Sequence, residues 1–251
     1  MKIVVIGGSG LIGSRVVAGL AGQGHQAVAA SPSTGVNSVT GEGLAEAFAG
    51  TDVVVDVTNS PSFAPDAVRE FFETSTGNLL AAEAKTRVGH HVALSVVGAD
   101  RVPDSGYLRA KVAQEALIAA GPVPYSIVRA TQFFEFIGAI ADTATQETKV
   151  HVPPVSFQPI AADDVAAAVA EVAIGTPVNG IVDVAGPDRF RFDEVIREIL
   201  ASNGDPREVV TDPTARYFGA LLGNDSLVPI GTARTGEVRL AQWLDSQGKG
   251  R

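Results

Sequence analysis

Tyr107 and Lys111 stand four residues apart in the run Tyr107-Leu108-Arg109-Ala110-Lys111. On a helix that spacing puts both side chains on one face. An ammonium beside a phenol lowers the phenol's pKa, so the pair predicts a group able to pass a proton near neutral pH. Ser95 lies upstream at the end of an apolar, β-branched run. Open α/β sheets place their sites at the C-terminal ends of strands, so the Ser95 hydroxyl is expected beside that of Tyr107. Taken alone, a Tyr–Lys pair at this spacing is usually surface decoration, and its meaning depends on what precedes it.

What precedes it is Gly7-Gly8-Ser9-Gly10-Leu11-Ile12-Gly13, directly after the apolar run Lys2–Ile6. Gly7 permits a sharp turn out of a strand, Gly10 lets the backbone approach a pyrophosphate, and Gly13 lets the next helix pack closely. The anion would rest on the helix N-terminus, against the loop and first-turn groups of Ser9, Leu11 and Ile12. A dinucleotide site for NAD commonly carries an acidic residue at the end of the second strand, where it binds the ribose 2′-hydroxyl. Here that place reads Ala29-Ala30-Ser31-Pro32-Ser33-Thr34, without a carboxylate. Hydroxyls of Ser31 and Ser33 can bond a 2′-phosphate and Arg15 can add charge, which favours NADP(H) while leaving NAD(H) possible. The same residues also favour an ordinary turn.

The elements that must position these groups alternate. Strands are expected at Lys2–Ile6, Gln26–Ala30, Asp52–Val57, His91–Val97, Tyr125–Val128 and Gly180–Val184. Helices are expected at Leu11–Leu20, Gly41–Ala49, Pro65–Thr86, Ser105–Ala120, Phe133–Thr143, Asp163–Ala173, Phe192–Ser202 and Gly236–Ser246, with Val150–Phe157 extended or looped. That alternation predicts an α/β fold, a doubly wound parallel sheet. One domain is expected over 1–251, with 1–131 the dinucleotide-binding part and about 132–251 completing the sheet and forming a small substrate lobe.

The 251 residues carry a net charge of −9, which disfavours a protein that coats nucleic acid. There is no cysteine, which removes disulfides and thiolate chemistry and suits the cytoplasm. Neither a signal peptide nor a membrane span is expected. His25, His90, His91 and His151 do not make a metal site, because neighbours on a strand point to opposite faces; they are expected as polar edge residues. Asp163 and Asp164 read as helix-start charges, and Arg129 as structural.

The glycine loop, Ser95 and Tyr107/Lys111 resemble the short-chain dehydrogenase/reductase superfamily. The glycine spacing and the run Ser126-Ile127-Val128-Arg129-Ala130-Thr131-Gln132-Phe133-Phe134 resemble its atypical, NmrA-like branch of NAD(P)-binding proteins. The resemblance implies a Rossmann-type fold, Tyr107 as general acid, Lys111 as its pKa-lowering and ribose-binding partner, and Ser95 as a substrate hydrogen bond. It also implies cofactor contacts from Thr58 and Asn59 and from Ala130 and Thr131. Phe133, Phe134 and Phe136 then fall beside the nicotinamide, while Phe63, Phe157, Tyr217 and Phe218 are placed to close over it. As substrate-binding residues, Phe133, Phe134 and Phe157 predict a bulky aromatic or quinone-like substrate; core packing is the competing reading for all of them. The expected activity is NAD(P)H-dependent reduction of a carbonyl or quinone, extending to the reductive half of an oxygen-dependent hydroxylation in secondary metabolism. Many NmrA-like proteins lack the tyrosine, and the alternative reading is a non-catalytic NAD(P)-sensing regulator with a protein partner.

Overall fold

Residues 1–248 are described by a computed structural model. Val4 and Val5 point to opposite faces of the first strand and both are fully buried, as in a parallel sheet covered on both sides. The strands are β1 (Lys2–Ile6), β2 (Gln26–Ala30), β3 (Val53–Asp56), β4 (His90–Val96), β5 (Tyr125–Ala130), β6 (Thr145–Gln146), β7 (Lys149–Val152), β8 (Ser156–Phe157), β9 (Gly180–Ala185), β10 (Phe190–Arg191), β11 (Glu208–Thr211) and β12 (Arg234–Thr235). The α-helices are α1 (Leu11–Gly22), α2 (Leu44–Phe48), α3 (Pro65–Thr86), α4 (Gly106–Ala120), α5 (Ile137–Thr143), α6 (Ala162–Ile174), α7 (Phe192–Ser202) and α8 (Leu240–Gly248).

Seven strands form one sheet in the order β12-β9-β5-β4-β3-β1-β2, parallel throughout. This is the Rossmann-type sheet that the alternation predicts. Helices α1 and α6 pack on one face, over Ile3, Val5, Val55, Val92 and Val128. On the other, Val4, Ile6 and Val54 pack with Leu44 and Phe48 of α2 and Leu79 of α3. Chain order reverses beside β1, between β2 and β3, and the crevice at such a reversal is where open sheets bind ligands. A second core gathers α5, α7 and the small sheet β11-β7-β6 around Phe157, Phe192, Ile196 and Leu227. Among the described residues no helix is long and apolar enough to cross a membrane.

Several boundaries differ from the sequence reading for local reasons. The Gly41–Ala49 helix shrinks to α2 because Gly41 and Gly43 take left-handed φ values of 80° and 73°, which no right-handed helix accommodates. The expected Gly236–Ser246 helix begins only at Leu240, since the Gly236 amide bonds the Ala185 carbonyl and Val238 bonds Asp164. Extended chain around Pro153 and Pro154 resolves into β7 and β8, and the short strands β11 and β12 carried no readable pattern. Phe133–Thr143 starts as a 3-10 turn at Phe134–Phe136 before α5.

Candidate active site

The glycine loop occupies the turn from β1 to α1. Gly7 has φ 80°, and a Cβ there would stand 3.0 Å from the Val57 carbonyl oxygen and 3.2 Å from the Thr58 amide. A Cβ on Gly13 would stand 2.1 Å from the Gly7 oxygen, so close packing demands glycine there. Gly8 is equally constrained, 2.6 Å from the Ala29 Cα; the three-glycine spacing passed over it. Gly10 differs, because its Cβ would meet only the Gly7 oxygen, at 3.3 Å. That space lies at the start of α1, whose first turn has neither a capping side chain nor an acidic residue. Four amide donors begin any helix without intrahelical partners, and here no side-chain anion competes for them. The loop therefore fits a pyrophosphate.

At the end of β2 the hydroxyls serve the chain itself. Ser31 and Thr34 cap a 3-10 turn over Pro32–Thr34, and the Ser31 and Ser33 hydroxyls lie 2.8 Å apart. Arg15 does not face them. Its Nε donates to Asp163 at 2.6 Å and its Nη1 to the Leu11 carbonyl, because the turn of α1 carrying Arg15 packs towards α6.

Tyr107 and Lys111 share the first turns of α4, which Ser105 caps. Tyr107 donates its hydroxyl hydrogen to Asn59 Oδ1 at 3.2 Å. Burial pushes the phenol up to about 12, the reverse of the expected lowering, since the Lys111 ammonium is spent elsewhere. Lys111 is 2% exposed. It donates to the Leu94 carbonyl at 2.9 Å and to Gln114 Oε1, and it lies 4.2 Å from the centre of the Phe72 ring. Burial lowers it to about 8, against the upward pull of Asp56 and Glu115. Gln114 Nε2 donates to Asp56 Oδ2 at 3.0 Å, and Asp56 Oδ1 accepts from the Thr58 amide and hydroxyl. Lysine only donates and carboxylate only accepts, so the Gln114 amide has one possible orientation. Asp56 thus joins Lys111, through Gln114, to Thr58, and the next residue in the chain, Asn59, accepts from Tyr107. Asp56 and Gln114 carried no signal in the sequence reading.

Ser95 does not join this group. Its hydroxyl donates to Glu115 Oε1 at 2.5 Å, and Glu115 is eight residues beyond Tyr107 on α4, roughly 12 Å of helix rise. Arg129 grips the same carboxylate with Nε at 2.9 Å and Nη2 at 2.6 Å, and reaches Asp100 at 3.2 Å. Strand alternation puts Ser95 on the face of His91 and Ala93; Val96, one residue on, is the side chain that packs in the cluster of Tyr107 and Ala220. His90 and His91 also depart from the edge positions expected, whereas His25 and His151 are partly exposed. His91 is fully buried and bonds Glu83 at 2.8 Å, and His90 is 3% exposed and bonds Ser126 at 2.9 Å. Although burial opposes it, the Glu83 and Asp56 charges raise His91, whereas burial lowers His90 to about 4.

The aromatic residues divide. Phe134 is 1% exposed against Trp243, and Phe157 is fully buried against Phe192 at 4.4 Å, so both are core of the second lobe rather than substrate-lining. Phe133 stacks on Phe136 at 5.4 Å and is only partly buried. Ala130 ends β5 at the sheet's C-terminal edge and Thr131 follows it, the Thr131 amide bonded to the Val184 carbonyl. The rings gathered at Tyr107 are Phe63 at 5.6 Å and Phe72 at 6.2 Å. Phe63 stacks on Phe218 at 6.0 Å, and Phe218 meets Tyr217 edge-on at 4.7 Å. Phe218 has a positive φ of 45°, a strained conformation for an aromatic residue. Tyr217 and Phe218 also form one wall of a cavity of about 540 Å³, whose other walls include His151, Asp212, Arg216 and Gln146.

No family model matches the sequence, and no curated protein matches it. Solved structures do match its fold. A short-chain dehydrogenase/reductase superfamily protein from Agrobacterium tumefaciens with bound NAD superposes at TM-score 0.74 and 18% identity, over 100% of this chain and 97% of that one. Thermus thermophilus UDP-glucose 4-epimerase complexed with NAD gives 0.71 and 19%, over 99% and 93%. A dTDP-4-dehydrorhamnose reductase from Clostridium acetobutylicum gives 0.67 and 19%, over 99% and 98%. At these identities the likeness is one of architecture: the chain has the Rossmann-type α/β fold of these epimerases and reductases.

Proposed function

We propose that the chain binds a nicotinamide dinucleotide on the Gly7–Gly13 loop and reduces a carbonyl or quinone on a bulky aromatic substrate, as an atypical short-chain reductase of the NmrA-like kind. One observation carries this reading: the glycine loop abuts Val57–Thr58, and the next residue, Asn59, holds the hydroxyl of Tyr107. A dinucleotide site and a proton donor thus meet at the reversal of the sheet. When bound, the reduced cofactor supplies hydride. Gly10 and the first turn of α1 hold the pyrophosphate. Tyr107, its phenol kept protonated by burial, protonates or hydrogen-bonds the substrate oxygen. Asn59 fixes the direction of that hydroxyl, and the Ser60 amide, bonded to the same Asn59 oxygen, fixes Asn59.

NADP(H) is proposed over NAD(H) because Ala29–Thr34 has no carboxylate to bind a 2′-hydroxyl or repel a 2′-phosphate. Arg15 must then exchange Asp163 for the phosphate, a small cost for a solvent-facing ion pair. Phe63 and Phe218, whose rings gather at Tyr107, support the aromatic substrate. Reduction of a quinone takes hydride and a proton and yields a hydroquinone, which can pass electrons to oxygen in a later hydroxylation.

A panel of quinones, aliphatic ketones and nucleotide sugars, with NADPH or NADH consumption as readout, tests this. We expect quinones to be preferred; preference for nucleotide sugars rejects the aromatic substrate, and failure to bind either cofactor at millimolar concentration rejects the whole reading. A second reading, a dinucleotide-sensing regulator, is favoured by one observation: Ser95 and Lys111 are both engaged away from Tyr107. It predicts cofactor binding without consumption on any carbonyl and a protein partner recovered by pull-down.

A further inference from the structure

Gln132 follows β5 at the C-terminal edge of the sheet, its carbonyl bonded by the Ile160 amide at 2.9 Å. It is 8% exposed, and both atoms of its side-chain amide are buried without a hydrogen-bond partner. Leaving such an amide unpaired costs the desolvation of two polar atoms, and an unpaired amide at the C-terminal edge of the sheet calls for a partner. Its neighbour is Tyr217, reaching over from the second lobe and 9% exposed. Burial raises the Tyr217 phenol first, Tyr107 raises it further, and the Gln132 amide, close enough to interact with the phenol oxygen but short of a well-formed hydrogen bond, lowers it. Two phenols and one unpaired amide therefore converge beneath the cover of Phe63 and Phe218.

We propose that Gln132 and Tyr217 form the polar end of the substrate site and recognise an aromatic carbonyl with a hydroxyl at the peri position of the fused ring. This rests on Tyr107 being the proton donor of the reductase. A glutamine amide presents a donor and an acceptor side by side, and its complement is an edge with an acceptor beside a donor. A ring carbonyl takes the amide N–H, the adjacent hydroxyl donates to the amide oxygen, and the Tyr217 phenol supplies a further donor. The carboxamide of a nicotinamide offers the same edge. Tyr217, which comes from the second lobe and shares its aromatic cover with Tyr107, favours the substrate as the ligand.

The test is calorimetric titration of the full chain with 5-hydroxy-1,4-naphthoquinone and with 1,4-naphthoquinone, alongside NADPH. The chain's lack of cysteine leaves no thiol for these quinones to alkylate. The hydroxyquinone is expected to bind at least tenfold tighter. Gln132→Leu should weaken both quinones and erase the preference between them, while changing the affinity for NADPH less than twofold. Gln132→Met, which keeps the size but loses both donor and acceptor, should do the same and serves if the leucine variant fails to fold. Equal affinities in the wild type, failure to bind either quinone, a preference that survives both substitutions, or a loss that falls on NADPH would each overturn the proposal. NADPH consumption is read separately: a Gln132-dependent preference without consumption leaves this site standing and removes the reductase.

Discussion

Lys111 is bonded to Gln114, three residues along its own helix, and Gln114 in turn to Asp56 on β3. The lysine is thus anchored to the sheet instead of to Tyr107, and the carboxylate that anchors it also bonds Thr58, the residue before the Asn59 that holds Tyr107. Asp56→Asn keeps the shape but removes the charge. It should lower the Lys111 titration, seen by NMR of ¹³Cε-labelled lysine, and slow Tyr107-dependent turnover at least tenfold with unchanged cofactor affinity. Gln114→Leu should also cost about 1–3 kcal/mol of stability in denaturant unfolding, the usual consequence of leaving buried partners unpaired. If Lys111 titrates identically in both variants, Asp56 and Gln114 do not control it.

Tyr107→Phe is expected to reduce turnover by roughly 10²–10⁴ without loss of NADPH binding, the usual scale of general acid catalysis. Tyr107 titrates near 12 and Lys111 near 8, so an alkaline fall in rate centred near pH 8 belongs to the lysine. The ammonium is present below that pH and lost above it. Lys111→Met should abolish this limb, and a limb that persists there would assign it to another group.

Gly10 and Gly13 should fail in different ways. Gly13→Ala drives a Cβ into the backbone of Gly7 and Gly8 and should destabilise the fold by about 1–3 kcal/mol, as overpacking does. Gly10→Val projects into the space left for a pyrophosphate and should abolish dinucleotide binding with little change in melting temperature. Loss of stability without loss of binding at Gly10 would place the cofactor elsewhere.

Arg15 is expected to read the 2′-phosphate once released from Asp163. Asp163→Asn should tighten NADPH several-fold and leave NADH unchanged, whereas Arg15→Ala should weaken NADPH alone. Parallel changes for both cofactors would reject this assignment.

His90 makes the fold acid-sensitive. Its folded pKa of about 4 lies below the ordinary 6.5, so between these values the unfolded chain binds the extra proton. Stability is complete above about pH 6.5 and is lost as the pH falls towards 4. His90→Gln should flatten that part of the melting-temperature profile; an unchanged slope would point to other groups.

The strand runs, α3 over Pro65–Thr86 and the glycine turn were all legible because their causes are local. Buried parallel strands write continuous apolar runs, proline starts a helix, and Gly7 and Gly13 are demanded by backbone within a few residues or by an adjoining strand. The sequence by itself thus determined the α/β class, the loop after β1 and the placement of Tyr107 and Lys111 on one helix face. What each side chain touches was decided by tertiary structure. Ser95 and Val96 differ by one position, yet strand alternation sends the serine to Glu115 and the valine to the cluster of Tyr107. Lys111 is held through Asp56, and Tyr107 through Asn59, residues distant in sequence whose proximity exists only once β3 and α4 are packed. Phe134 and Phe157 are chemically indistinguishable from Phe63 and Phe218 in a sequence; the second lobe's core claims the first two, and the loops over the sheet edge leave the others at the site.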